Sequence, residues 1–299
     1  MRKFIFTLLT IIPVLFLSLT IVSCGSDEGG VTPSGGPEEE SDIALYDFTD
    51  ENSTYESLEF TDGARYIITM KHETYNTMSC SASKVKFSCF QSSTKNIITR
   101  ASSEESYIVE GKYSKSDGVY ILEGFGSVAI ESGNGRVLIT ITETGKPATT
   151  QNATKSLPSI GASDMTTKAC RTWKVDKISY TLIDAKTKDV LYAETGTPEE
   201  YAKVGDDDCP TQVTFSRYGS YLVKYTGISP DMARWRWSDE TKGILQYSWD
   251  FNNTSVNWNS EDSGLLTISF EGDRNAVLTD VYESKDEIST IITYLTALK

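Results

Sequence analysis

The chain has 299 residues, with 28 Lys and Arg against 42 Asp and Glu, a formal charge of −14. Such a surface repels polyanions and argues against a nucleic-acid partner, because phosphate binding needs basic clusters. A length near 300 exceeds one ordinary domain, so two cores are expected, and 16 Tyr among frequent Ser and Thr favour strands and turns over helices.

Arg2 and Lys3 are the only charges before position 27, and Phe4 to Val22 is an apolar run broken only by Thr, Ser and Pro13. That order is the pattern of an export signal; the run is also long enough for a membrane-spanning helix. Ile21-Val22-Ser23-Cys24 resembles a lipobox, in which small residues precede a cysteine that is acylated and becomes the mature N-terminus. The resemblance implies a signal peptide over 1–23 and a membrane attachment through lipid on Cys24. Each buried methylene contributes about 0.8 kcal/mol, and stable anchoring takes more than one chain. Losing residues 1–23 removes two positive charges and leaves 26 basic against 42 acidic residues, a net charge of −16. Next, Gly25-Ser26-Asp27-Glu28 resembles the Ser-then-acidic signal that sends Bacteroidetes lipoproteins to the outer face of the outer membrane, with a periplasm-facing position as the alternative.

Cys24 and the residues through 43 form the expected tether. Residues 25–42 hold five Gly, two Pro and six acids with no aromatic residue, a composition that buries no core. Eighteen such residues span about 23 Å root-mean-square.

From 44 to 146, short alternating or β-branched runs are separated by turn signals, with Asp117-Gly118 and Asn134-Gly135 as hairpin turns. An antiparallel β domain is expected here. His72 is the only histidine, a surface residue by default. Residues 147–168 lie in a stretch with no aromatic residue and two prolines, read as a linker to a second β domain over 169–299. With Cys24 assigned to lipid, four cysteines remain, and an exported protein permits Cys80–Cys89 and Cys170–Cys209 bridges, or buried thiols instead.

The two regions align in part. Phe60 to Tyr66 matches Phe215 to Tyr221 with one inserted residue, and Gly111-Lys112-Tyr113-Ser114 parallels Arg234 to Ser238, as in a diverged tandem duplication. In the second region, Trp173-Lys174-Val175, Asp208-Cys209 ahead of Val213-Thr214-Phe215, and the turn ending at Gly219-Ser220-Tyr221 resemble the lipocalin-like domains of Bacteroidetes lipoproteins. The resemblance implies an up-and-down barrel, which has no open edges and encloses at most a small ligand. The fold class expected is thus all-β: two tandem antiparallel lipocalin-like barrels or sandwiches after a lipoprotein signal and tether. Thr197-Pro198-Glu199-Glu200 predicts a short helix over Pro198 to Lys203. For the C-terminus, Ser284 and Glu287 have the form of a capping box before helically spaced Ile288, Ile291, Ile292 and Leu295, yet the density of Ile, Thr and Tyr favours a closing strand.

Four of the five tryptophans cluster: Trp235, Trp237, Trp249 and Trp258. Period two places Trp235 and Trp237 on one strand face and Arg234 and Arg236 on the other, and groups Leu245, Tyr247, Trp249 and Phe251 on one face of the next strand. These rings read either as barrel core or as the wall of a site for a small apolar or glycan ligand, with Arg234, Arg236 and Asp250 as hydrogen-bonding groups. Asp206-Asp207-Asp208 lacks the spacing of a calcium loop and reads as a solvated acidic turn. No CxxC, GxSxG, P-loop, HExxH or GxGxxG occurs, so no catalytic residue, metal or cofactor is expected, and the chain reads as a non-enzymatic binder. The rival reading is an envelope protein that works through protein contacts.

Overall fold

A computed structural model describes residues 42–71, 108–203, 209–252 and 255–298. The signal segment, Cys24 and the tether through 41 lie outside them, as do His72, Cys80, Cys89 and Asp206 to Asp208. Among the described residues no helix is long and apolar enough to cross a membrane.

Eight strands make the first barrel: β1 (Ala44–Phe48), β2 (Tyr55–Thr61), β3 (Arg65–Met70), β4 (Ile108–Ser116), β5 (Val119–Leu122), β6 (Gly126–Gly133), β7 (Arg136–Glu143) and β8 (Thr149–Ser156). They pair antiparallel in chain order, and β8 returns to β1, so no edge is left open. Alternation explains the strands: in β7, Ile139 and Ile141 are buried while Leu138 between strand faces is exposed. Asp117-Gly118 and Asn134-Gly135 both take positive φ, the two-residue turn that matches strand twist. Phe60, Tyr66, Leu122 and Ile139 fill the interior. Gly111 is required there, because a Cβ would fall 2.9 Å from Tyr66 Cε1, whose hydroxyl reaches Glu123 O at 2.7 Å.

The stretch expected to be a linker is corrected by this architecture. Thr149–Ser156 is β8, the strand that closes the first barrel, so that barrel extends past 146. The segment is all but invisible to hydrophobic patterning because only Ala153 is buried. Backbone ladders to β7 and β1 hold it, with the Thr140 and Thr150 hydroxyls paired at 2.9 Å. Residues Asp164–Ala169 then form helix α1, capped by Ser163, whose Oγ accepts from Thr166 N–H at 2.9 Å.

The second barrel follows: β9 (Thr172–Asp184), β10 (Val190–Gly196), α2 (Pro198–Lys203), β11 (Pro210–Phe215), β12 (Ser220–Tyr225), β13 (Asp231–Asp239), β14 (Ile244–Ser248), β15 (Ser263–Glu271), β16 (Asn275–Glu283) and β17 (Glu287–Ala297). Strand β9 and strands β11 to β17 form a second closed eight-stranded ring, sealed by the β9–β17 pairing. Strand β10 hangs on the later half of β9. The expected helix α2 is present with a reciprocal cap: Glu200 N–H donates to Thr197 Oγ1 at 3.2 Å and Thr197 N–H to Glu200 Oε2 at 2.8 Å. At the C-terminus the strand wins. Ser284 N–H donates to Glu287 O at 2.8 Å, so the residues that mimic a capping box close a hairpin instead.

The two rings share one strand plan. Phe60 pairs with Tyr66 across the second and third strands of the first ring, and Phe215 with Tyr221 across those of the second. The rings also pack on each other. Ile67 and Ile108 of the first meet Leu222, Met232 and Phe251 of the second. Beside them, Ser220 Oγ donates to buried Glu59 at 2.7 Å, and Glu110 binds both Arg65 at 2.7 Å and Lys224. Burial pushes the Glu59 carboxyl up, opposed by serine hydroxyls and Arg234.

Candidate functional site

The structure sends the tryptophan cluster to three places. Trp235, 1 % exposed, is core: its Nε1 donates to Ser216 O at 3.0 Å, and its ring meets Phe215 and Trp237 edge-on at 5.4 and 5.3 Å. Trp237 donates to Thr166 Oγ1 at 2.9 Å and Trp173 to Ala169 O at 3.0 Å, tying helix α1 over that end of the barrel. Trp249 is half-buried among Tyr221 and Tyr247, further along the interior. Trp258 lies on the outside, under the Arg236 guanidinium at 4.3 Å, which also holds Gln246. Arg234 sits over Phe251 at 5.0 Å and donates to Ser220, so it serves the contact between the rings. Phe251 departs from the face shared by Leu245, Tyr247 and Trp249, because β14 ends at Ser248 and the chain turns there: Ser248 Oγ accepts from Asp250 N–H at 3.2 Å and donates to Asn257 O at 2.8 Å.

Little space is left inside the second ring. Tyr221, Val223, Tyr225, Tyr247, Trp249, Leu266 and Asp280 surround a cavity of about 20 Å³, room for about one water, which needs roughly 10–15 Å³. Asp280 points inward from β16, continuing the buried series Ala276 and Leu278. Burial pushes its carboxyl up to about 6, opposed only by the Val281 N–H.

A larger space opens at the mouth of the first ring. Asn52, Thr54, Tyr55, Ile141, Glu143, Lys146, Pro147, Thr149 and Gln151 line a cleft of about 280 Å³. Tyr55 is fixed from both sides: its ring lies against Phe48 and Phe125 at 5.6 and 6.3 Å, and its hydroxyl donates to Glu143 Oε1 at 2.5 Å. Lys146 Nζ meets the other oxygen of Glu143 at 2.7 Å. The Lys146 ammonium and then the Tyr55 hydroxyl hold the Glu143 carboxyl below its usual range, while burial and Glu143 push the Tyr55 phenol up. Ser53 bonds Gln151 at the rim. The result is one aromatic wall, an apolar floor of Ile141 and Pro147, and polar groups of both donor and acceptor kinds.

Sequence reasoning missed Tyr55, Glu143, Lys146 and Asp280. The signal that points to them is parity: Ile139-Ile141-Glu143 and Ala276-Leu278-Asp280 each place an acid next in a core-facing series. Cys170 and Cys209 are buried thiols rather than a bridge, and burial pushes the Cys170 thiol up, away from thiolate reactivity. Both lie in the packed core of the second ring. Among the described residues no group of three or more His, Cys, Asp or Glu side chains is placed to hold a metal ion.

These features define a class: two lipocalin-like antiparallel barrels in tandem, with a ligand-sized cleft at the mouth of the first. No family model matches the sequence, and no curated protein matches it. Among solved structures, the chain is similar to the isotype 1 transferrin binding protein B from serogroup B Neisseria meningitidis, with 13 % identity and a TM-score of 0.24. That similarity covers 64 % of this chain, which spans 38 % of the solved one. The function of this chain therefore rests on its own residues.

Proposed function

We propose that the chain is a non-enzymatic binding lipoprotein, anchored through Cys24 to the outer membrane of a Bacteroidetes-type cell with its barrels at the surface, and that the mouth of the first barrel holds a glycan. The anchor and the surface position rest on the lipobox-like Ile21-Val22-Ser23-Cys24 and on Ser26-Asp27-Glu28. The observation that carries the binding reading is the cleft of about 280 Å³, close to the lower end of small-molecule sites at about 300 Å³. Its lining favours hydroxyl-rich over apolar ligands. Tyr55, 3 % exposed and held by Phe48, Phe125 and Glu143, forms a rigid base, and Asn52, Thr54, Thr149, Gln151 and Lys146 offer hydrogen bonds. A pre-ordered base costs little entropy on binding.

Calorimetric titration of the full chain with a panel of soluble oligosaccharides tests this. A saturable binder is expected, weakened at least about tenfold, roughly 1.4 kcal/mol, in Tyr55→Ala and in Glu143→Gln. A panel without a binder, or Tyr55→Ala binding like wild type, overturns it. The protein-contact reading draws on β10, an edge strand that exposes Val190 at 62 % and Leu191 at 52 %. Native mass spectrometry from the host separates the two, through a bound small molecule or a stoichiometric protein.

A further inference from the structure

The two rings differ at one point where their strand plans agree. Strand β7 is the seventh of the first ring and β16 the seventh of the second, and each ends its inward series on an acid, Glu143 and Asp280. Glu143 has its own cation, Lys146, and a phenol donor, Tyr55. Asp280 has neither. Among the described residues no cation pairs with it and no side chain donates to it, and the Val281 N–H is its support. A desolvated carboxylate without a counter-charge is costly, and a cation brought to it recovers that cost.

The walls suit a cation. Tyr221, Tyr247 and Trp249 form a three-ring set with centroids 5.9 to 6.4 Å apart, none stacked face to face. Ring faces attract cations through their quadrupoles. The Tyr247 ring leans over Gly264 of β15, where an added Cβ would lie 2.6 Å from its hydroxyl oxygen. The free volume, about 20 Å³, admits one water-sized group, and an –NH3+ head is of that size while a trimethylammonium is not.

We propose that this end of the second barrel binds the ammonium head of a small primary amine, with the Asp280 carboxylate as counter-charge and the rings of Tyr221, Tyr247 and Trp249 as walls. The amine supplies from outside what Lys146 supplies to Glu143 from within. The titratable groups lining the space are Asp280 on β16, Tyr221 and Tyr225 on β12 and Tyr247 on β14, while Leu266 on β15 carries no charge. Burial holds the Tyr221 and Tyr247 phenols neutral, and burial also raises Asp280 to about 6, so binding weakens as the solution is acidified through that value. This site is independent of the cleft in the first ring.

The test is a Trp fluorescence titration of the detergent-solubilised full chain, wild type and Asp280→Asn, with n-butylammonium and with tetramethylammonium at pH 8 and pH 5. The expected result is a saturable change with n-butylammonium at pH 8, about tenfold weaker at pH 5, where a carboxyl of pKa near 6 is only about one-tenth ionised. Asp280→Asn is expected to bind at least about tenfold more weakly at pH 8, and tetramethylammonium to give no saturable change. No saturable response in wild type, equal binding by the variant, equal binding at the two pH values, or equal binding of tetramethylammonium each overturns the proposal. Should the variant fail to fold, the wild-type pH and size comparisons decide the outcome.

Discussion

Asp280 makes a stability prediction that needs no ligand. Its folded carboxyl is raised from 3.8 to about 6, mainly by burial, and that difference corresponds to about 3 kcal/mol between its protonation states. The folded chain therefore binds more protons than the unfolded chain between about pH 4 and pH 6, and stability falls as pH rises through that window. Above about pH 6 the full penalty applies. Asp280→Asn keeps the shape and removes the charge, so it is expected to stabilise the second barrel by up to about 3 kcal/mol at pH 8 and to converge with wild type near pH 4. For a unit of this size that shift raises Tm by about 6 °C or more. Urea unfolding followed by Trp fluorescence from pH 4 to pH 8 measures it, since Trp173, Trp235 and Trp237 report on this barrel. Glu56, Glu59 and Asp62 are also raised by burial, but they are common to both proteins and drop out of the difference. Two curves that run parallel at every pH, or a variant less stable at pH 8, would refute the desolvation argument.

In the first barrel, Gly126 has φ +150° and a Cβ there would fall 2.0 Å from Thr142 O. Gly126→Ala is expected to cost about 4 kcal/mol or more, whereas Gly118→Ala, with φ +79° and open space, costs only about 1–2 kcal/mol; the urea midpoints of the two variants check the order. At the N-terminus, metabolic labelling with a fatty-acid analogue is expected to tag wild type and not Cys24→Ser. Equal labelling would leave the apolar run of Phe4 to Val22 as the attachment.

Much of the fold is written in local chemistry. Asp-Gly and Asn-Gly at 117–118 and 134–135 demand positive φ at consecutive positions, so they mark hairpins without any tertiary information. Thr197 and Glu200 carry their helix cap in their own side chains. Strand β8 is different, because only Ala153 among its residues is fully buried and the strand exists through the ladders that β7 and β1 offer it. Its pattern is no guide, since the cause lies more than 100 residues upstream in β1. The same reasoning applies to α1, whose two buried residues, Thr166 and Ala169, acquire meaning only where Trp237 and Trp173 reach them.

For the site, period two separates inside from outside but says nothing of volume. An eight-stranded ring has an interior just wide enough for side chains to fill, so the number and size of inward rings decide whether a chamber remains. Trp173, Trp235, Trp237, Phe215 and Tyr221 all turn inward in the second ring and close it to one water-sized space. At the first ring's mouth, Tyr55 and Ile141 share the lining with polar groups that tolerate solvent, and the cleft stays open. A dense aromatic cluster in an up-and-down barrel is therefore better evidence of a filled core than of a ligand chamber. The more informative residue is the acid that breaks the inward apolar series, because a carboxylate at a core-facing position is paired, hydrogen-bonded or pushed toward its neutral form. Glu143 finds Lys146 three residues away in its own chain. Among the described residues Asp280 has no such partner, and this difference between two rings of one strand plan is what the proposed cationic ligand would make good.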